Sequence, residues 1–279
     1  MSHVAIDCHQ SSTLSPTHDV RPAAQSDAVN YELPLSERMR TFLRLEFLFT
    51  QINHHVTLAS AWSTRCAIQA LLDLLTILGR GDIRSELVKE LESHINNMML
   101  YRQCAEVNNE RLHTLIDELK KSRSELSDTR GKVTSGIVED GFLNAIRQRS
   151  TIPGGACEFD LPNYHYWLNR SISDRHNDLQ RYIAKIQPIH SALEKILWLI
   201  RQTATHETVV ANAGLLQKNL DNNSPLQLVR VKLNPSTDFY PEISGNARRI
   251  SVRFYEWHDA HQRAKPALDD IEFSLALCR

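Results

Sequence analysis

The spacing of apolar residues changes once along this chain of 279 residues, near residue 205, and that change constrains the fold more than any other feature. Before it, apolar residues recur every three or four positions, as on the buried face of an amphipathic helix. After it, they alternate with polar residues, as in strands with one buried face. The sequence therefore predicts an α+β fold, with an N-terminal mainly helical domain followed by an antiparallel β domain.

The pattern divides the chain into three predicted parts. Residues 1–30, rich in Ser, Thr, Ala, His and Asp, show no sustained period and are predicted to form a flexible leader. Residues 31–204 are assigned to the helical domain and residues 205–279 to the β domain. The segment around 130–165, where the helical signal is weak in part, is a candidate to pack with the β domain.

Capping residues indicate where the predicted helices begin and end. Ser36 is expected to cap the first helix and Asp82 the third. The second helix, 58–78, is predicted to turn Trp62 inward and to stop at Gly79–Gly81, because glycine adopts the left-handed C-terminal conformation without steric cost. Further helices are predicted around 108–126 and 139–149, from 173 onward, and in a separate last helix that begins at Pro188.

Three segments of the C-terminal region alternate strictly between apolar and polar residues. Their apolar positions are Val229, Val231 and Leu233; Ile250, Val252 and Phe254; and Ile271, Phe273, Leu275 and Leu277. The opposite side of the middle segment carries Arg249, Ser251, Arg253 and Tyr255. We therefore expect a strand with one apolar and one basic face.

Composition and charge argue against several classes of protein. Lys and Arg number 32 against 33 Asp and Glu, so the chain lacks the strong basic excess of a dedicated nucleic-acid binder. The five cysteines are scattered without a close pair, which indicates reduced thiols and no zinc site. No signal-peptide pattern is present, and the most apolar run, 67–78, is too short to cross a bilayer. We expect a cytoplasmic protein without membrane insertion.

Motifs of enzymatic chemistry are absent from the sequence. There is no nucleophile elbow, no phosphate-binding loop, no dinucleotide fingerprint and no zinc-protease motif. Thirteen histidines are scattered, and a metal site at His54 and His55 or at His258 and His261 would need at least one more ligand from a distant segment. We expect no catalytic residues, no cofactor and no metal site.

Basic residues are concentrated toward the C-terminus, with seven against four acidic residues between 225 and 265. Arg249 and Arg253 share one face of a predicted strand, about 13 Å apart. A paired neighbouring strand would add Arg230 and Lys232 to this face. Because arginine grips a carboxylate with two parallel hydrogen bonds, such a surface suits an acidic peptide. A solvated outer face is the alternative interpretation.

A second basic feature is the corner between the second and third helices. Arg80 lies between two glycines, and Arg84 follows one turn into the next helix, whose N-terminus attracts anions. The alternative is a surface corner at which Arg80 packs its stem on a neighbour. Arg44, on the first helix, is a candidate to pair with a nearby acid, and His165 is a candidate for local packing.

Five blocks of sequence carry a family resemblance. They are YELPLSERMRTFLRLEFL at 31–48, LGRGDIRSEL at 78–87, IRQRSTIPGG at 146–155, CEFDLP at 157–162 and YPEISG at 240–245. In this order they resemble the ZapD family of Z-ring-associated cell division proteins. The resemblance extends over residues 31–278 and leaves out the leader, which is longer than expected for the family.

The resemblance implies a cytoplasmic homodimer that binds the tubulin-like GTPase FtsZ at the midcell division site and cross-links its protofilaments into bundles. It also implies that the C-terminal tail of FtsZ enters a basic pocket. The partner-binding residues are then Arg80, Arg249 and Arg253, with Arg44, Arg84, His165 and Arg230 as further candidates. A shared pocket would unite them at the junction of the helical and β regions. One further family arginine falls on Gly141.

Three classes of function follow from these observations. The leading hypothesis is a non-enzymatic cross-linker, because two-fold symmetry supplies two identical pockets and a polymer of tails supplies avidity. The alternatives are a nucleic-acid-binding regulator that uses the basic strand face, and a hydrolase without a recognisable motif. The near-neutral total charge argues against the nucleic-acid binder.

Overall fold

A computed structural model describes residues 28–101, 109–128, 135–220, 226–246 and 248–279, so residues 1–27 of the predicted leader lie outside the described residues. The helices are α1 (Glu37–Val56), α2 (Ala61–Arg80), α3 (Ile83–Tyr101), α4 (Asn109–Asp128), α5 (Ser135–Val138), α6 (Gly141–Arg149), α7 (Pro162–Leu168) and α8 (Ile172–Gln202). The strands are β1 (Val29–Pro34), β2 (His206–Ala211), β3 (Leu215–Asn219), β4 (Leu228–Leu233), β5 (Phe239–Gly245), β6 (Arg249–Glu256), β7 (Lys265–Pro266) and β8 (Ile271–Cys278). The predicted α+β class is confirmed.

Polar caps begin the first three helices. The Ser36 hydroxyl accepts a hydrogen bond from the Met39 amide at 3.1 Å, and the Asp82 carboxylate accepts one from the Ser85 amide at 3.1 Å. Both caps were predicted. Ser60 caps α2 in the same way. The cap satisfies a backbone donor that has no partner within the helix, and this fixes where each helix begins.

The second helix differs from its prediction at both ends. It ends at Arg80, within the predicted stop at Gly79–Gly81, but Gly81 is extended with φ −155°, so the predicted left-handed conformation is wrong. Trp62, predicted to face inward, is 75% exposed. Thr64 is the buried residue of that turn, and Trp62 lies on the opposite side of the helix.

The last helix of the bundle is a single long element. α8 runs through Pro188 without interruption, so the prediction that Pro188 begins a separate helix is wrong. Proline in a helix interior removes one backbone hydrogen bond and crowds the preceding turn. Ile186 and Ile189 on either side are buried in the helical core, and their packing holds the helix together across the proline.

The segment around 130–165 was a candidate to pack with the β domain. In the structure, the buried side chains of the described residues between 135 and 168 belong to the helical core. The Phe142 ring contacts Trp167 edge-on, with ring centroids 5.3 Å apart. Tyr164 stacks beside Trp167 at 6.1 Å. Phe159, on the loop before α7, lies outside this cluster and is 81% exposed.

The strands form two antiparallel sheets that pack around a second core. The first sheet has the order β1-β4-β8-β2; the second has the order β3-β6-β5, with β7 paired to β6. The predicted alternation is confirmed, because Ile250, Val252 and Phe254 are fully buried between the sheets. Leu228 and Cys278 of the first sheet reach the helical core, so this sheet faces the bundle.

Strand β1 belongs to the first sheet, although it precedes all the described helices along the chain. It pairs with β4, with Leu33 opposite Val229. Of the β1 residues, 31–34 were predicted to belong to the helical domain and Val29 and Asn30 to the flexible leader, so the structure places them differently from both predictions. A six-residue strand that ends in Pro34 has too short an alternation to be recognised from its pattern alone.

Candidate functional site

The two predicted strand arginines lie on the outer face of the second sheet. Arg249 and Arg253 are on β6, whose alternate residues are buried. Across the sheet, Arg253 lies opposite Leu215 on β3 and Glu242 on β5. We call this outer face of β6, with its cross-strand neighbours, the sheet-face surface. Its arginines point away from the core because successive side chains in a strand point to opposite sides.

The two strand arginines differ in their bonding. Arg249 is exposed and donates a hydrogen bond to Oε1 of Gln217. The guanidinium of Arg253 makes no ion pair or hydrogen bond with any described residue, although Glu242 is its cross-strand neighbour. The half-exposed Arg253 side chain is therefore free to bind an anion from solution.

Aromatic residues extend the sheet-face surface beyond Arg253. Tyr240 and Tyr255 are cross-strand neighbours whose rings stack with centroids 5.7 Å apart. The Trp257 ring meets Tyr240 edge-on at 6.4 Å and is 52% exposed. Tyr255 was predicted on this face, whereas no strand was predicted over the block 240–245 that contains Tyr240.

Arg230 and Lys232 lie in the other sheet. Their strand, β4, pairs with β1 and β8, whereas β6 pairs with β3, β5 and β7. The prediction that they extend the face of Arg249 and Arg253 is therefore wrong. Alternation fixes which side of a strand a residue occupies, but it does not fix the order of strands in a sheet.

Arg230 instead contributes to a charge network where the first sheet meets the bundle. Its Nε lies 2.7 Å from Oε1 of Glu32 on β1. Arg201, from the last turn of α8, donates to both carboxylate oxygens of Glu32 at 3.0 and 2.7 Å and to both oxygens of Glu46 on α1. Burial opposes the charge of Arg201, but the hydrogen bonds to Glu46 and Glu32 outweigh it and raise its pKa. Arg230 is thus held by an internal acid.

At the corner between α2 and α3, Arg80 and Arg84 play different parts. Arg80 is exposed, and its side chain makes no hydrogen bond or ion pair within the described part of the chain. Arg84 donates to the carbonyl of Ser127 at 2.8 Å and so caps the last turn of α4. The N-terminus of α3 is occupied by Asp82, whose pKa is lowered by hydrogen bonds from the Ser85 hydroxyl and amide. Arg80 is the residue of this corner that is available to a partner.

Arg44 lines a pocket at the same end of the α1–α2 pair. The pocket has a volume of about 390 Å³, and we call it the α1–α2 pocket. Its lining residues are Pro34, Arg40, Leu43, Arg44, Phe47, Leu48 and Ile77. Arg44 is exposed and, among the described residues, has no acidic partner, so the expectation that it pairs with a nearby acid is wrong.

His165 and Gly141 lie on exposed parts of α7 and α6. Nε2 of His165 is 3.3 Å from the side-chain nitrogen of Asn169 one turn later, so its described contact is local. Gly141 is the first residue of α6, and a Cβ atom placed on it would meet nothing within 4 Å. This position therefore has room for a larger side chain, such as the arginine that the resemblance implies there.

The structure brings some of the predicted residues together and keeps others apart. Ile77 lines the α1–α2 pocket and Arg80 lies three residues further on α2, so the two share one side of the helix. Arg44 and Arg80 thus belong to one region. We call this region, which consists of the α1–α2 pocket and Arg80, the helix-end surface. Within the described residues, no hydrogen bond, ion pair or ring contact joins Arg80 to Arg249 or Arg253. The single shared pocket stays a prediction.

A large cavity lies elsewhere, between α1, α4, α8 and β4. It has a volume of about 940 Å³, and the half-exposed Trp198 is its main aromatic residue. Its lining contains four acidic and four basic side chains, which are Glu46, Glu110, Glu118 and Glu194, and Arg111, Lys195, Arg201 and Arg230. This balance of charge gives the cavity no preference for an anionic partner.

Two further properties bear on the kind of protein this is. Within the described residues, no three or more His, Cys, Asp or Glu side chains are arranged to hold a metal ion. No described helix combines the length and the apolar character that crossing a bilayer requires. The fold defines an α+β protein in which a helical bundle adjoins two sheets, with exposed, unpaired arginines on both parts.

Comparisons with known proteins give this class a family. The model of the family described as ZapD, cell division protein, matches residues 43–253. A cell division protein ZapD of Methylococcus capsulatus is 33% identical over 248 residues, covering 89% of this chain and 97% of the relative. The ZapD of Aromatoleum aromaticum is 35% identical over 250 residues, covering 90% and 97%, and that of Ralstonia nicotianae is 35% identical over 249 residues, covering 89% and 98%. The chain belongs to the ZapD family of cell division proteins.

Proposed function

We propose that this protein binds the C-terminal tail of FtsZ and cross-links FtsZ protofilaments at the division site. The observation that carries the proposal is that Arg44, Arg80 and Arg253 are exposed or half-exposed and, among the described residues, unpaired. Most other arginines of the described bundle are engaged by acids or carbonyls, as Arg84 and Arg201 are. Unpaired guanidinium groups at the surface are available to the carboxylates of an acidic peptide.

The mechanism is one of binding and requires no bond to be made or broken. Contacts between exposed charges are individually weak, because water and salt screen them. A filament presents many tails, so a protein with two binding sites gains affinity by engaging two of them at once. Tethering follows if the two sites face different filaments.

A homodimer supplies the two sites in the simplest way. Two-fold symmetry places the same surface on each protomer, so each chain needs only one tail-binding site. In this proposal the protein acts in the cytoplasm as a dimer, without cofactor or catalytic residue, and it stabilises the Z ring by bundling. Arg84 and Arg230 have structural roles and are left out of the tail-binding set.

Sedimentation with FtsZ tests this function directly. Purified protein is mixed with FtsZ and GTP, and bundles are collected at a speed that leaves single filaments in solution. We expect FtsZ in the pellet only when this protein is present. FtsZ that lacks its C-terminal tail is the control, and equal bundling of the tailless form would contradict the proposal.

A further inference from the structure

The α1–α2 pocket has a composition that the arginines alone do not explain. Five of its seven lining residues are apolar: Pro34 from the end of β1, Leu43, Phe47 and Leu48 from α1, and Ile77 from α2. Its volume of about 390 Å³ lies toward the lower end of the range for ligand pockets, which is roughly 300 to 1,000 Å³. A pocket of this size accommodates a bulky side chain and not a whole folded element.

Phe47 is the apolar residue of this pocket that most needs an explanation. It is 68% exposed, while its neighbour Leu48 is buried. When a partner covers a large aromatic ring that is exposed to water beside a concave apolar surface, apolar area is removed from water and the free energy decreases. The exposed ring therefore indicates an apolar contact with a partner molecule.

The rim of the pocket selects the charge of that partner. Arg40 and Arg44 line it, and Arg80 lies one turn beyond Ile77 on the same side of α2. Glu37, which pairs with Arg40, is the described acid that contacts this group, and Arg44 and Arg80 have no described partner. Unpaired guanidinium groups at the rim (Arg44) and one turn beyond it (Arg80) are complementary to an apolar side chain flanked by carboxylates.

We propose that the α1–α2 pocket binds a bulky apolar side chain of an acidic peptide, while carboxylates on either side of that residue contact Arg44 and Arg80. The inference rests on the proposed function and deepens it, because it assigns the tail an apolar anchor in addition to its charges. A plain anion would leave Phe47 uncovered, and a purely apolar partner would leave the guanidinium groups without a counter-charge. The peptide satisfies both.

An apolar anchor and a charged contact respond differently to salt. Screening weakens the arginine contacts as ionic strength rises and leaves the burial of an apolar side chain nearly unchanged. Phe47→Ala should therefore weaken binding by about the same factor at every salt concentration. Arg44→Ala should weaken it most at low salt.

The test is a titration of a fluorescent synthetic peptide with the sequence of the FtsZ C-terminal tail. A second peptide has its bulky apolar residues replaced by alanine, with every charge kept. We expect Phe47→Ala to weaken binding of the first peptide about tenfold, a typical loss for a buried aromatic contact at an interface. The second peptide should bind weakly to the parent protein and lose almost nothing further on Phe47→Ala.

Phe159→Ala is the matched control, because Phe159 is also a strongly exposed phenylalanine (81%) but lies on the loop before α7. It should bind the tail peptide as strongly as the parent does.

The outcomes separate the anchor from tail binding itself. If the tail peptide binds the parent and Arg80→Ala weakens this binding but Phe47→Ala does not, the anchor is wrong while tail binding stands. If the parent binds neither peptide, both proposals fail. Binding to vesicles of phosphatidylcholine and phosphatidylglycerol that depends on Phe47, without peptide binding, would assign the surface to a membrane and overturn the anchor.

Discussion

The helix-end surface and the sheet-face surface use the same side chain in opposite settings. At the α1–α2 pocket, Arg44 lines a concave apolar surface, and Arg80 lies one turn beyond its lining residue Ile77. On the second sheet, Arg249 and Arg253 stand on an open strand face beside the stacked rings of Tyr240 and Tyr255. The first setting selects a partner by shape and charge, and the second offers charge and flat aromatic contact.

The two surfaces differ in how strictly each would select the side chains of a bound peptide. A concavity rejects side chains that do not fill it, because an unfilled apolar pocket forfeits its contacts. A flat row of arginines accepts any carboxylate within reach, since Coulomb attraction is not directional. Variants that alter one surface at a time therefore separate the two contributions.

Reversing the charge of the sheet-face surface should have the largest effect. Arg253→Glu replaces attraction by repulsion for an acidic tail, and we expect at least a thirtyfold loss of tail-peptide binding, which is about 2 kcal/mol. The side chain is half-exposed and unpaired among the described residues, so the fold should be unaffected. Peptide titration measures the loss, and circular dichroism verifies the fold.

Lys232→Glu is the control for this reversal. Lys232 is an exposed basic residue of a strand, but it lies on β4 in the first sheet. It changes the net charge by the same amount, so long-range attraction falls equally in both variants. Equal losses of binding in the two variants would mean that total charge, and not the sheet-face surface, attracts the tail.

A smaller effect is expected at the helix-end surface from Arg80. Arg80→Ala should weaken tail binding about fivefold at low salt, about 1 kcal/mol, and should flatten its dependence on salt because one screened contact is lost. Arg80→Lys should recover part of the loss, since an ammonium group keeps the charge but lacks the planar fork. Titrations at several salt concentrations compare the three proteins.

The matched control is Arg147→Ala, which removes an exposed arginine from α6. It should bind like the parent at each salt concentration. If Arg80→Ala also matches the parent throughout, the corner is only a surface turn and the sheet-face surface acts without it.

The smallest effect concerns the stability of the bundle as pH falls. His94 on α3 has a side chain only 13% exposed, and burial lowers its pKa below the ordinary value of 6.5, against the opposing pull of Glu90 and with a further lowering by Arg38. As pH falls, His94 is therefore protonated in the unfolded chain at pH values at which it is still neutral in the native state. The free energy of unfolding should therefore decrease as pH falls below about 6.5.

His94→Gln should flatten this decrease, as measured by urea unfolding at a series of pH values from 8 to 5. His54→Gln, at an exposed position of α1, should retain the parent's slope. If the free energy of unfolding of His94→Gln varies with pH as it does in the parent, other groups cause the acid sensitivity. His190 is one such group, because burial also lowers its pKa.

Local signals predicted those parts of the fold that depend on neighbouring residues. The caps at Ser36 and Asp82 and the buried alternation of Ile250, Val252 and Phe254 are properties of a few consecutive side chains, and they were confirmed. The stop expected at Gly79–Gly81 was confirmed in position, since α2 ends at Arg80, although Gly81 is extended and not left-handed. The break expected at Pro188 was wrong, because the burial of Ile186 and Ile189 in the helical core offsets the local cost of the proline.

The candidate site depended on information that a single sequence does not hold. Arg230 and Arg253 have similar local patterns, yet strand order places one beside Glu32 and the other on an open face. The α1–α2 pocket draws its lining from β1, α1 and α2, and no spacing along the chain links Pro34 to Ile77. Exposure of Phe47 is likewise a property of the assembled bundle.

Strand β1 has a consequence for how the molecule is made. Val29–Pro34 pairs with Leu228–Leu233, about two hundred residues later in the chain. During synthesis from the N-terminus, α1 to α8 emerge before this partner exists, so the bundle can form while β1 has none of its sheet hydrogen bonds. The first segment of the fold to be synthesised is thus among the last to be paired, and Glu32 meets Arg230 only when the C-terminal strands arrive. A ribosome-bound chain halted before residue 228 should expose Glu32 and β1 to proteolysis while α1 and α2 are already protected.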